Sequence, residues 1–126
     1  MHTLPVETAG LVRRRLLRSG VNRGERHALR HYRLRGYRLL AANARAGGYE
    51  LDLVLRRGRT LVVVEVKEKR GSGFGAPLEM VDREKVRRVK TAARAWLATH
   101  PENASLELRI EAVGVSGGRV ERVPLE

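Results

Sequence analysis

Two apolar runs around a tight turn constrain this chain more than any other feature. Glu50–Leu55 and Thr60–Lys67 are rich in Leu and Val and flank Arg56-Arg57-Gly58-Arg59. Runs of this length and composition, bounded by turn residues, predict two strands. Gly58-Arg59 puts glycine first in a two-residue loop, as a type II′ hairpin turn prefers. Residues 57 and 60 then become neighbours, and every later pair follows. Asp52 is expected to face Glu65, and Glu50 to face Lys67. Because side chains alternate along a strand, these four share one side of the hairpin. Leu51, Leu53 and Leu55 meet Val62, Val64 and Val66 on the other side, an apolar surface expected to be core.

Two carboxylates directly opposite each other destabilise a strand pair. A divalent cation between them removes the repulsion, since carboxylate oxygens are the ligands that Mg²⁺ or Mn²⁺ takes. Asp52 and Glu65 are therefore the candidate metal ligands. Lys67 reaches the same side, where an ammonium can hold an attacking water or stabilise charge developing on a phosphate. A metal would polarise the phosphoryl oxygen and acidify a water. These are parts for hydrolysing a phosphodiester. Glu50 is expected either to pair with Lys67 and orient it or to form a plain surface ion pair. The competing structural reading is a solvated sheet face laced by cross-strand ion pairs.

The charge of the chain bears on that choice. Its 126 residues suit one compact domain, and 26 Lys and Arg against 14 Asp and Glu give a formal charge of +12. Residues 1–48 hold eleven Arg and only two acids, Glu7 and Glu25, whereas residues 49–126 hold fifteen basic and twelve acidic side chains. An asymmetry of this size predicts a polyanion-facing surface at the front of the chain. Of the 26 basic residues 22 are Arg, whose planar fork matches phosphate oxygens. Aromatic residues make up 4%, which argues against a base-stacking platform and for contacts to phosphate and duplex shape. The 42% of apolar residues excludes disorder along the whole length, and the lack of cysteine excludes disulfides, thiolate zinc sites and a cysteine nucleophile. No apolar run is long enough to cross a membrane, and the start of the chain lacks the apolar core of a signal peptide. A cytoplasmic protein without a membrane partner is expected.

Along the chain, residues 1–22 read as a basic arm and 23–126 as a single domain. Glu25–Arg35 predicts a helix with Gly36 at C′. Its stripe of Glu25, Ala28, Leu29 and Tyr32 places a carboxylate on the apolar face, which costs free energy unless something pairs with it. Tyr37–Asn43 predicts a strand, broken at Ala46-Gly47-Gly48. Lys69–Pro77 reads as a glycine-rich loop and a mobile edge of a substrate channel. A long helix is expected from about Asp82 to about Thr99, burying Val86, Val89, Ala93, Trp96 and Leu97. Leu106–Val115 and Arg119–Val123 are late strand candidates. The order is helix, three strands, helix, one or two strands, an α/β fold with a central sheet and flanking helices. His27 and His31 are four apart on a helix but lack a third ligand, so the structural reading prevails.

At these residues a family pattern emerges. Arg23-Gly24-Glu25-x-x-Ala28, Gly36-Tyr37, Asn43-x-Arg45, Glu50-Leu51-Asp52-Leu53 and Val64-Glu65-Val66-Lys67 resemble the YraN family of bacterial proteins. Gly75-Ala76-Pro77-Leu78-Glu79-x-Val81 and Leu108-Arg109-Ile110-Glu111-Ala112-Val113 extend the match, which covers about residues 20–115. The family looks like a branch of the PD-(D/E)xK nucleases, similar to archaeal Holliday-junction resolvases. The resemblance implies a restriction-endonuclease-like αβββαβ core with a mixed sheet. It implies Asp52 and Glu65 as ligands of Mg²⁺ or Mn²⁺, Lys67 as the catalytic lysine, and Glu25 as a further catalytic carboxylate. Tyr49 stands where the family has Gly, which bears on how substrate enters, and Glu111 stands where Asp is common. Arg23, Arg45, Lys69, Arg70, Lys85 and Arg88 are the candidate nucleic-acid contacts. Arg45 reads equally well as a surface arginine, and Lys85 better as an ordinary solvated lysine. The expected activity is metal-dependent hydrolysis of DNA, branched or structured DNA included. By analogy with symmetric two-strand cleavage, a homodimer is expected. The alternative is a nucleic-acid-binding or ribosome-associated module on a nuclease-like scaffold without turnover.

Overall fold

The computed structural model describes residues 21–68 and 83–125. Its first helix, α1 (Arg23–Arg33), starts at Asn22, whose side chain accepts the Glu25 N–H at 2.7 Å. Glu25 Oε1 in turn accepts the Asn22 N–H at 3.1 Å. This capping box satisfies amides that a helix end leaves open, so the helix begins two residues before Glu25. It also ends earlier than expected, with Leu34 as C-cap, and Gly36 (φ +88°) falls at C″. The predicted stripe holds, because Glu25, Ala28, Leu29 and Tyr32 are all buried. Val21 is buried too, so the folded body includes the last residues of the basic arm. Residues 1–20 of that arm, and the Lys69–Pro77 loop, lie outside the described residues.

Five strands form one sheet in the order β1 (Arg38–Ala46), β2 (Tyr49–Arg57), β3 (Thr60–Glu68), β4 (Glu107–Ser116) and β5 (Arg119–Pro124). Only β3 and β4 run parallel. Two-residue turns join the antiparallel pairs. Gly47-Gly48 and Gly117-Gly118 each have two positive φ angles, as type I′ turns require, while at the middle turn Gly58 alone does. The middle turn sets the expected pairing from Arg57↔Thr60 to Leu53↔Val64. Both late segments are strands, so β5 is an addition to an αβββαβ-type core.

A parallel pair needs a crossover, and its helix is α2 (Arg83–Ala98). That helix overturns the expected layering of the hairpin. It covers the face of the sheet opposite α1, so β3 is buried without interruption from Leu61 to Glu65. On one side Ala28, Leu29 and Tyr32 pack on Leu53, Leu55, Val62 and Val64. On the other, Val89, Ala92, Ala93 and Trp96 pack on Val54, Leu61, Val63 and Ile110. The hairpin therefore has two apolar faces, with its polar residues gathered at one end. Leu51 joins the α2 side, apart from Leu53 and Leu55. Val86 and Leu97 are only half-buried, and Ala92 shares the stripe with Trp96.

Two further contacts fix the frame. Buried Glu111 on β4 accepts the Tyr32 hydroxyl at 2.5 Å and two Arg122 nitrogens at 2.9 and 3.1 Å, tying α1 and β5 to the central sheet. At the β1–β2 turn, a Cβ on Gly47 would lie 3.2 Å from Ala95 Cβ and 3.3 Å from the Thr91 carbonyl, so this turn rests directly on α2.

Candidate functional site

β2 stays beside β1 to its first residue, with Arg45↔Glu50 and Ala46↔Tyr49 paired, but its ladder with β3 ends at Leu53↔Val64. β3 continues beside β4 as far as Glu68↔Val115. A fork opens between β2 and β3, and the chemistry-bearing residues sit in it. Asp52 Oδ2 accepts the Val66 N–H at 2.7 Å, so a side chain satisfies an amide that the ladder leaves open. The expected pairs Asp52/Glu65 and Glu50/Lys67 thus lie just past the last rung and are not ladder partners. A hairpin turn dictates register near itself, whereas twist lets strands part farther along.

Glu65 is buried on the α2 side of β3. Its Oε2 lies 3.4 Å from Lys67 Nζ and 3.3 Å from Lys85 Nζ, so two ammonium groups from two elements bracket one oxygen. Lys85 stands in the first turn of α2, and this ion pair corrects its reading as a solvated lysine. A cleft of about 190 Å³ is walled by Tyr49, Glu50, Asp52, Glu65, Lys85 and Arg88, with Val89 beneath.

Crowding of like charges marks the cleft electrostatically. Burial first, then the neighbouring charges of Glu65, Glu25 and Glu50, push the Asp52 carboxyl up to about 7 against the opposing Val66 N–H bond. Burial likewise raises Glu25 above the usual carboxylate range; its bonds to the Asn22 amide and the Asn43 side chain oppose that, while Glu50 and Glu65 reinforce it. Glu25 therefore shares the electrostatic neighbourhood of Asp52 from the first turn of α1. Among the described residues, no group of three or more His, Cys, Asp or Glu side chains could hold a metal ion by itself.

Of the expected phosphate contacts, Lys85 and Arg88 line the cleft, whereas Arg23 and Arg45 are exposed away from its wall. Lys69 and Arg70 lie outside the described residues. Asn43 belongs to the Asn43-x-Arg45 motif, which gave it no role; its φ of +50° and its influence on the Glu25 carboxyl place it against the site. An Asn opposite an Asp, four pairs from a Gly-Gly turn, was the available signal. Tyr49 forms part of the rim, with the Arg88 guanidinium 5.9 Å from its ring centre.

The model for the family described as "Uncharacterised protein family UPF0102" matches residues 24–115, every element from α1 nearly to the end of β4. The chain belongs to the UPF0102, or YraN, family. A UPF0102 protein of Methylorubrum extorquens (strain PA1) is 47% identical over 89 residues, covering 71% of this chain and 68% of the relative. One from Clavibacter michiganensis subsp. michiganensis (strain NCPPB 382) is 43% identical over 93 residues, 74% and 78% of the two chains. A UPF0102 protein of Pseudomonas entomophila (strain L48) is 40% identical over 102 residues, 81% and 83% respectively. The UPF0102 match takes in Glu25, Asn43, Asp52, Glu65, Lys67, Lys85 and Arg88. No helix of the described residues is long and apolar enough to cross a membrane.

Proposed function

We propose that this UPF0102 protein is a metal-dependent nuclease that hydrolyses phosphodiester bonds in DNA, branched or structured DNA included. The observation that carries this reading is the meeting of Asp52, Glu65 and Lys67 in a fork between two strands, with Lys85 and Arg88 on the facing helix. The donor set suits Mg²⁺ or Mn²⁺. Asp52 and Glu65 offer hard oxygen atoms, and Asp52 is crowded enough by neighbouring carboxylates to favour any added positive charge. Mg²⁺ usually takes one or two carboxylates and fills its remaining positions with water and substrate phosphate, so two ligands suffice. When bound, such an ion supplies Lewis-acid polarisation of a phosphoryl oxygen and a more acidic water.

The chain's own residues do the rest. Lys67 places an ammonium beside Glu65, where it orients an attacking water and offsets charge growing on the phosphate. Lys85 and Arg88 position the sugar–phosphate backbone along α2, Arg88 by its two-pronged fork. Glu25 and Glu50 add negative charge that raises the affinity of the site for a cation. The test is cleavage of branched, flapped and linear DNA with Mg²⁺ or Mn²⁺ by wild type, Asp52→Ala and Lys67→Ala. Equal cleavage by all three would assign the activity to a contaminant.

One observation favours a second reading. Lys67 and Lys85 together offset the charge of Glu65 without calling on a metal ion, as a nucleic-acid-binding module with no turnover would allow. Calorimetry with Mn²⁺ separates the two: no heat of binding, together with intact and steeply salt-dependent DNA binding, selects the module.

A further inference from the structure

Asn43 is the one non-glycine residue of the described chain with positive φ, at +50°. That conformation is disfavoured for an L-residue, and among side-chain-bearing residues Asn tolerates it best. Its place in the sheet is specific. Ala42↔Leu53 and Ala44↔Leu51 are paired on either side, and Asn43 opposite Asp52 is the position between them that is left out. Residues two apart on a strand normally share a face. Here Ala42 and Leu53 pack into the α1-side core, while Ala44 and Leu51 pack into the α2-side core. Both strands change faces at the same point.

We infer that Asn43 is a positioning residue whose left-handed backbone rolls the β1–β2 ribbon over and thereby aims Asp52 across the fork at Val66. A regular ribbon would keep Leu51 and Leu53 on one side and continue its ladder with β3 by backbone bonds. The roll removes that continuation, leaves the Val66 N–H open, and lets the Asp52 carboxylate take it at 2.7 Å. Asn43 also lies beside Glu25, in the first turn of α1 at the fork. Strained backbone of this kind collects where a group must be held in place. The placement of Asp52 stands apart from the nuclease reading; only its catalytic consequence rests on that reading.

The Val66 amide reports this placement directly and needs neither metal nor DNA. Its resonance and hydrogen exchange are measured in the full chain at pH 8, relative to the amides of Leu61 and Val63 on the same strand, in wild type, Asn43→Gly, Asn43→Val and Asp52→Ala. Glycine adopts positive φ freely, whereas a β-branched residue resists it. Asp52→Ala and Asn43→Val should shift the Val66 resonance and speed its exchange about tenfold or more, as loss of a charge-assisted bond implies. Asn43→Gly should leave the Val66 resonance in place. If Asn43→Val does not fold, Asn43→Ala takes its role with the same expected direction. An unmoved Val66 amide in the folded Val or Ala variant, beside a moved one in Asp52→Ala, overturns the assignment. So does an Asn43→Gly variant that moves Val66 as far as Asp52→Ala does.

Discussion

Asp52 Oδ2 lies 2.7 Å from the Val66 amide nitrogen, beyond the last backbone rung between their strands. That single bond joins the departing strand to the central one and holds a carboxylate among three others. The site is thus built by interrupting a sheet, and its energetic signature is a charge that the fold tolerates poorly.

Replacing Asp52 by Asn keeps an oxygen for Val66 and removes the charge. The folded carboxyl is raised to about 7, so the wild type is penalised above that pH and released as pH falls toward the unfolded value of about 4. In metal-free buffer Asp52→Asn should therefore stabilise the protein by on the order of 1 kcal/mol at pH 8, and by much less at pH 5. Thermal melts at the two pH values check this. A gain that does not depend on pH would show that the crowding is relieved by other means.

Lys67 and Lys85 touch the same Glu65 oxygen yet should fail differently when truncated. Lys67→Ala is expected to lower the rate of DNA cleavage roughly 10²–10³-fold while leaving affinity nearly intact. Single-turnover rates and binding isotherms on one substrate separate the two effects.

Lys85→Ala and Arg88→Ala should instead weaken DNA binding on all sequences alike. Each is expected to reduce the slope of log affinity against log salt by about 1, as loss of one phosphate contact does. Unchanged slopes for both variants would move the phosphate path away from α2.

Glu111, Tyr32 and Arg122 form a buried network remote in role from the cleft. Burial alone would raise the Glu111 carboxyl, but hydrogen bonds from Arg122 and Tyr32 outweigh it and leave a net lowering. The resulting stability is present above the ordinary carboxylate pKa of about 4.3 and is lost as pH falls through the lower folded value. Arg122→Ala should cost about 3 kcal/mol at pH 7 by stranding a buried charge. Urea unfolding at pH 7 and pH 3 should show that cost shrinking in acid.

How far the residues announced all this depends on distance from a turn. Gly58 fixed Arg57 against Thr60, and the pairing ran true through Leu53 and Val64, because a two-residue loop leaves no freedom there. One pair farther on, strand twist and the backbone of Asn43 decide, and neither follows from a pattern of Leu and Val. Val54 and Val63 fall on the side that strand alternation gives to Asp52 and Glu65, yet the crossover helix lays Trp96 and Val89 over them. The expectation of a solvated Lys85 fails for a related reason: helical spacing tells which residues share a side, but packing against the sheet decides what that side meets. The carboxylates themselves were legible, because like charges at neighbouring positions need an explanation wherever they occur.

The close approach of Gly47 to Ala95 and the Thr91 carbonyl seats the β1–β2 turn on α2. Lys85 lies about 15 Å up the same helix from Ala95, where its ammonium spans the cleft to Glu65. One added carbon at Gly47 would meet atoms at 3.2 Å, so this joint between turn and helix holds the gape of the cleft fixed. A fixed gape gauges width and ignores identity. A sugar–phosphate strand is equally wide whatever bases it carries, so on the nuclease reading this joint predicts a tool that selects the outline of DNA and is indifferent to its spelling.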